Sequence, residues 1–139
     1  RNSPNFLMNF LQKISPEWSL RLGLGLVYLY SGYNLLFYPA GWTWAIPVWF
    51  SKIVSQVLPL ESYLQMQGGV EIVMALIFIV WFAPRKSVLI AAAFSSLEFL
   101  FILLFAPQFS ITFRDIGLLG AAIALLVISL SQTNNYQSN

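Results

Sequence analysis

Residues 87–105 read SVLIAAAFSSLEFLFILLF, a stretch in which Glu98 is the only charged side chain. A helix of about 20 mostly apolar residues is long enough to cross about 30 Å of bilayer hydrocarbon. This stretch is therefore predicted to be a transmembrane helix. A carboxyl inside such a helix is costly, so Glu98 is a candidate for a contact with another helix or for a functional site.

Three other segments have a similar length and apolar character. The four predicted spans cover about residues 16–38, 63–82, 87–105 and 112–130. The first opens with Ser15-Pro16-Glu17, which is typical of a helix N-terminus, and Pro39 follows its end. The sequence thus predicts an all-α integral membrane protein, a single transmembrane domain over residues 1–139 built as a four-helix transmembrane bundle.

The composition agrees with a membrane protein and excludes several functions. Hydrophobic residues make up 58% of the chain and charged residues 9%, against about 25% charged in a typical soluble domain. A net charge of +2 is too small for nucleic-acid binding, so the expected partners are membrane lipids and other membrane protein subunits. The sequence contains no Cys and no His, so we expect no metal or haem ligands of its own. Any chemistry would use carboxylates, Tyr, Lys, Arg or a partner's cofactor.

Two stretches have the pattern of short helices that lie on a membrane. Within about residues 45–58, apolar pairs alternate with polar pairs from Trp49 to Leu58, which gives one apolar and one polar helix face. The chain has a second set of apolar residues at helical spacing near its start. Because these residues do not form one continuous apolar run, the segment is not typical of a secretory signal. Its members are Phe6, Leu7, Phe10, Leu11 and Ile14. The alternative for both stretches is a short helix packed on the bundle or on a partner subunit.

The distribution of basic residues predicts the orientation in the membrane. On the side of the chain termini lie Arg1, Lys13, Arg21, Arg85 and Lys86, and on the other side lie Lys52 and Arg114. Because basic residues are enriched on the cytoplasmic side, both termini are expected there, in a bacterial or archaeal cytoplasmic-type membrane.

Two carboxyls are predicted to lie at similar depth in neighbouring spans. Glu71 precedes Arg85 by 14 residues and Glu98 follows it by 13, so both lie about 20 Å from the turn between the second and third spans. The short turn makes these helices antiparallel neighbours. We therefore predict that Glu71 and Glu98 approach each other, in which case both would not stay ionised.

Further polar residues are predicted to join these carboxyls in the same half of the bundle. The candidate cluster consists of Tyr30, Tyr33, Asn34, Gln67, Glu71, Glu98, Arg114 and Asp115. Three interpretations remain open at this point. The cluster is a hydrogen-bonded lock that fixes helix register, a site for the head group of a quinone or lipid, or a proton or ion path. The aliphatic opposite half of the bundle disfavours the path, because nothing there continues a relay.

Three short motifs resemble those of the DoxX/DoxD family of small four-span membrane proteins, over residues 20–130. The motifs are Arg21-x3-Gly25-x6-Gly32-Tyr33-Asn34, Gly68-x2-Glu71 and Arg114-Asp115-Ile116-Gly117-Leu118-Leu119-Gly120-Ala121. The resemblance implies a four-helix bundle, often within a quinone-linked redox complex. Carried over by motif, the polar positions would be Arg21, Glu71, Arg114 and Asp115. An expected function follows: a membrane subunit that is at most a non-catalytic or quinone-site part of an oxidoreductase. The alternative is an accessory subunit that stabilises a respiratory or photosynthetic assembly without chemistry.

Overall fold

The computed structural model describes residues 4–108, 112 and 114–138. All elements in this part of the chain are helical. The α-helices are α1 (Pro4–Lys13), α2 (Pro16–Phe37), α3 (Val48–Ser55), α4 (Leu60–Ile79), α5 (Arg85–Phe105) and α6 (Asp115–Gln137), and a 3₁₀ helix covers Pro39–Ala45. As predicted, Ser15 caps α2, since its Oγ accepts a hydrogen bond from the Trp18 amide at 3.5 Å.

The four long helices form a ring whose seams differ in tightness. α2 packs most extensively on α4, α5 packs on α6, and α2 also contacts α6. α4 and α5 are consecutive and joined by a short turn, yet they contact each other much less. We call the bundle end with this turn the turn end, and the opposite end, which carries residues 38–59, the α3 end.

Three of these helices are long and apolar enough to cross a membrane, which indicates an integral membrane protein. They are α4, α5 and α6. Of the four predicted spans, three are therefore shown, and α2, which covers the predicted span 16–38, is not among them. α2 has 22 residues, but Glu17, Arg21 and Asn34 lower its hydropathy below that of the other three.

The ends of the predicted spans also shift. The span predicted at 63–82 is a helix over Leu60–Ile79, and the one predicted at 112–130 continues as α6 to Gln137. Near the polar end of α6, Gln132 Nε2 donates to Glu17 Oε2 at 2.8 Å, which places the start of α2 and the end of α6 together at the turn end. The predicted start of this span adjoins residues 109–111 and 113, which lie outside the described residues.

α2 and α4 meet at backbone-to-backbone distance. A Cβ atom added to Gly68 would lie 2.9 Å from the Gly32 carbonyl oxygen and 2.9 Å from Leu35 Cβ. A Cβ atom added to Gly32 would lie 2.9 Å from the Gly68 carbonyl oxygen. Glycine is therefore required at both positions, because any side chain would separate the two helices.

A buried arginine fixes the other end of the same pair. Arg21 is 5% exposed, and its guanidinium donates to the carbonyl oxygens of Phe78 at 2.9 Å, Val80 at 2.7 Å and Ile77 at 3.2 Å. The last carbonyl groups of a helix have no hydrogen-bond partner within it, and Arg21 supplies donors to them at the C-terminus of α4. Its positive charge also interacts favourably with the negative end of the α4 dipole. The Trp18 ring lies 4.1 Å from the guanidinium carbon.

The two predicted surface helices are helical, over shorter lengths. Within 45–58, α3 covers Val48–Ser55 and leaves Trp49 and Ile53 exposed while Val54 is buried. The predicted apolar stripe near the start is exposed throughout, on α1 and at Ile14 directly after it. Their position relative to a membrane surface stays a prediction.

The first test uses two adjacent glycines of α4. Gly68→Ala should lower the free energy of unfolding by about 1–3 kcal/mol, because the new methyl group meets the α2 backbone. Gly69→Ala is the control, since a Cβ there would meet nothing within 4 Å, and it should be neutral or stabilising by about 0.5–1 kcal/mol. Thermal unfolding in detergent measures both. Equal melting temperatures would contradict the close crossing.

The second test removes the guanidinium. Arg21→Met keeps an unbranched apolar side chain but leaves the carbonyl oxygens at the end of α4 unsatisfied, and should destabilise the bundle by about 3 kcal/mol. Arg85→Met removes an exposed arginine at the start of α5 and should change stability little. The same thermal-unfolding assay compares them, and an unchanged Arg21→Met protein would refute the capping role.

Candidate ligand site

A glutamine amide joins the two predicted carboxyls. Gln67 Nε2 donates to Glu98 Oε1 at 3.3 Å and to Glu71 Oε1 at 3.5 Å. Gln67 and Glu71 are one helical turn apart on α4, and Glu98 comes from α5. The structure therefore confirms that the two carboxyls approach each other across the α4–α5 seam. Glu71 is 4% exposed, and its other oxygen, Oε2, has no close hydrogen bond among the described residues, although the carboxyl interacts with Glu98 and with Ser31 of α2.

α2 contributes one hydroxyl to the same group. The Tyr28 hydroxyl donates to Glu98 Oε2 at 3.3 Å, and Ser95 Oγ lies 2.7 Å from the Tyr28 oxygen. Tyr28 and Ser95 are both buried. The Tyr28 ring packs between Phe78 and Phe99, with ring centroids 6.1 Å and 5.6 Å away. This network links α2 and α5 and fixes the orientation of the Glu98 carboxyl.

A cavity of about 500 Å³ opens beside these polar groups, between α4 and α5. We call it the head cavity. Its polar wall consists of Gln67, Glu71 and Glu98. The remaining lining is apolar or aromatic and includes Phe50, Tyr63, Met66, Val70, Phe94, Leu97 and Phe101. No basic side chain of the described residues lines it.

Aromatic rings close the α3 end of the head cavity. Phe50 of α3 packs against Tyr63 of α4 at 5.3 Å and against Phe101 of α5 at 6.2 Å between ring centroids. Trp49 packs against Phe105 at 5.7 Å. α3 therefore bridges the two helices above the cavity. On the flank of the seam, by contrast, Met66 and Leu97 are exposed to the surroundings of the bundle.

Five of the eight predicted site residues fall outside the bridged group. Tyr30 and Tyr33 are 72% and 51% exposed, and the Asn34 amide donates to the Tyr30 carbonyl of its own helix. Arg114 is exposed at the start of α6. Asp115 is half-buried at the start of α6, near enough to Glu98 for an electrostatic interaction.

The sequence reasoning missed Tyr28 and Ser95 and reached Arg21 only through the resemblance. The signal that identifies Tyr28 is its position one turn before Gly32 and one turn after Gly25. Glycines at this spacing mark the face of α2 that packs on α4. Tyr30 and Tyr33 lie on another face of the helix, which the structure leaves exposed.

Comparison with known proteins adds no assignment. No protein-family model, no curated protein and no solved structure matches the chain. The resemblance to the DoxX/DoxD family therefore rests on its short motifs alone.

The third test compares two tyrosines of α2. Tyr28→Phe removes the hydroxyl that contacts Ser95 and Glu98 in a buried site, and should lower the free energy of unfolding by about 1–2 kcal/mol. Tyr30→Phe, the same change on the exposed face, should have no effect. Thermal unfolding of the purified proteins distinguishes them. A larger effect at Tyr30 would place the polar cluster on the face that the sequence favoured.

Proposed function

We propose that this chain is a small membrane subunit of a quinone-linked redox complex and that its head cavity binds the head group of the quinone. The observation that carries the proposal is the composition of the cavity wall: one amide and two carboxyls converge on an otherwise apolar and aromatic space. Ligand sites commonly have this character and a volume of about 300–1,000 Å³.

The polar atoms suit both redox forms of such a head group. A quinol hydroxyl can donate to Glu71 Oε2, the buried oxygen that has no close hydrogen bond in the described part of the chain. A quinone carbonyl can accept from the Gln67 amide, which carries two N–H donors. Aromatic side chains such as Phe94 and Phe101 can pack against the ring.

The chain's own role in this proposal is to bind and orient the head group. Its sequence contains no Cys and no His, so a partner subunit would supply the redox centre. α2 would complete a four-helix transmembrane bundle, because its polar side chain Arg21 is turned inward onto carbonyl groups of α4. Both termini would lie in the cytoplasm, as the basic residues predict.

A second candidate is an accessory subunit without chemistry. The observation that favours it is the mutual hydrogen bonding of Tyr28, Gln67 and Glu98, which ties three helices together as a polar lock would. In this case, the head cavity would contain only lipid chains.

The fourth test measures binding of a short-chain benzoquinone and its quinol to the purified protein by quenching of tryptophan fluorescence. Saturable quenching is expected. Glu71→Gln should weaken quinol binding about tenfold, equivalent to about 1.4 kcal/mol, since the amide can turn an N–H group instead of an acceptor oxygen toward the quinol hydroxyl. Glu61→Gln is the matched control, an exposed glutamate in the first turn of α4.

The two candidates give different results. Quenching that does not saturate, together with a lower melting temperature for Glu71→Gln, would favour the accessory role. Saturable quenching that is weakened in Glu71→Gln and unchanged in Glu61→Gln would favour the quinone site.

A further inference from the structure

A second, smaller opening lies in the same seam. It has a volume of about 240 Å³ and is lined by Met74, Ile77, Ser87, Ile90 and Ala91, together with two residues of the head cavity. Those shared residues are Val70 and Phe94, so the two openings adjoin each other along the seam. We call this second opening the tail groove. Ser87 is its only polar lining residue within the described chain.

The tail groove leads from the head cavity toward the turn end. On α4 it extends from Val70 to Ile77, and on α5 from Phe94 back to Ser87. Seven residues of helix correspond to about 10 Å. A molecule with its polar part at Glu71 and Glu98 would therefore meet apolar side chains in this direction, as far as Ser87 at the far end of the groove.

We infer that the ligand of the head cavity carries one hydrocarbon tail, which lies in the tail groove between α4 and α5 and points toward the turn end. This inference rests on the proposed function and adds the shape of the ligand: an amphiphile with one ring and one prenyl-like chain. A lipid with two acyl chains fits less well, because the described seam offers a single groove.

The α3 end supports the same direction. There the rings of Phe50, Tyr63 and Phe101 close the head cavity, so a tail cannot leave past them without separating the rings. The flank of the seam is open, as the exposure of Met66 and Leu97 shows. The ligand would thus enter sideways from the hydrocarbon, head group first, between α4 and α5.

The tail groove should determine the direction in which the ligand tail points, and it should contribute little to the affinity of the ligand. A tail that moves from bilayer hydrocarbon into an apolar groove gains no hydrophobic free energy, because both surroundings are equally apolar. Measuring the affinity as a function of tail length would therefore be a weak test. Locating the end of the tail is a direct one.

The fifth test uses a benzoquinone with a diazirine at the end of a hydrocarbon tail of about 10 Å, the length of the groove. The protein is reconstituted in phosphatidylcholine vesicles, irradiated, digested and analysed by mass spectrometry. Labels are expected on Ile77, Ser87 and Ile90, and an excess of short-chain benzoquinone should remove them. Labels at Trp49 or Phe105, or spread over the lipid-facing sides of α2 and α6, would overturn the inference.

A matched pair of variants checks that the groove itself directs the tail. Ile90→Trp fills the groove, whereas Leu104→Trp makes the same change on the same helix outside both openings; each wild-type side chain is 67% exposed. Ile90→Trp should abolish labelling of Ile77 and Ser87, and Leu104→Trp should leave it unchanged. Unchanged labelling in Ile90→Trp would overturn the inference.

The short-chain benzoquinone separates this inference from the proposed function. If it still quenches tryptophan fluorescence saturably while the tail label falls elsewhere, the head site stands and only the direction of the tail is wrong. If it does not bind to the wild-type protein at all, the proposed function fails, and the tail groove has no quinone to hold.

Discussion

The close contact between the backbones of α2 and α4 at Gly32 and Gly68 is the constraint on which the arrangement of this bundle depends. It determines which side chains lie next to the contact. Tyr28 lies one turn before Gly32, and Glu71 comes three residues after Gly68, so both are turned toward the interior. On its other side, α4 contacts α5 much less. α5 packs mainly on α6, and the head cavity lies in the loosely packed seam between α4 and α5.

The polar groups at this seam are costly in hydrocarbon, and their placement follows from that cost. Each polar group in such surroundings requires a partner. The Gln67 amide donates hydrogen bonds to both carboxyls, and the Tyr28 hydroxyl donates one to the second oxygen of Glu98. At the turn end of the same helix pair, Arg21 meets the same requirement for carbonyl oxygens of α4. Along α4, the two polar features are separated by about two helical turns, from Glu71 to Phe78.

The sequence predicts the long helices and the meeting of Glu71 with Glu98. Helix length, hydropathy and distance from a short turn can all be counted along the chain, without knowing which helix faces pack together. It does not predict which face of α2 is buried. α2 carries apolar side chains on all of its faces, so hydropathy alone does not indicate which face is buried. The sequence pattern therefore places Tyr30 in the polar cluster, whereas the structure places Tyr28 there. The small residues of α2 contain the missing information, since Gly25 and Gly32 indicate where another helix approaches. Pairing across helices, as between Gln132 and Glu17, is not visible in local patterns at all.

The two interpretations of the polar cluster differ in what they require of Glu71. A lock is most stable when every polar atom in it is paired, because an unpaired buried oxygen costs about 1–3 kcal/mol. Glu98 meets that condition, with Gln67 on one oxygen and Tyr28 on the other. Glu71 meets it less well, because its Oε2 is buried without a close hydrogen bond among the described residues, although its carboxyl interacts with Ser31 and Glu98. A proton shared between Glu71 and Glu98 would complete the lock, whereas the proposed ligand site requires a hydroxyl group of the ligand to donate to this oxygen.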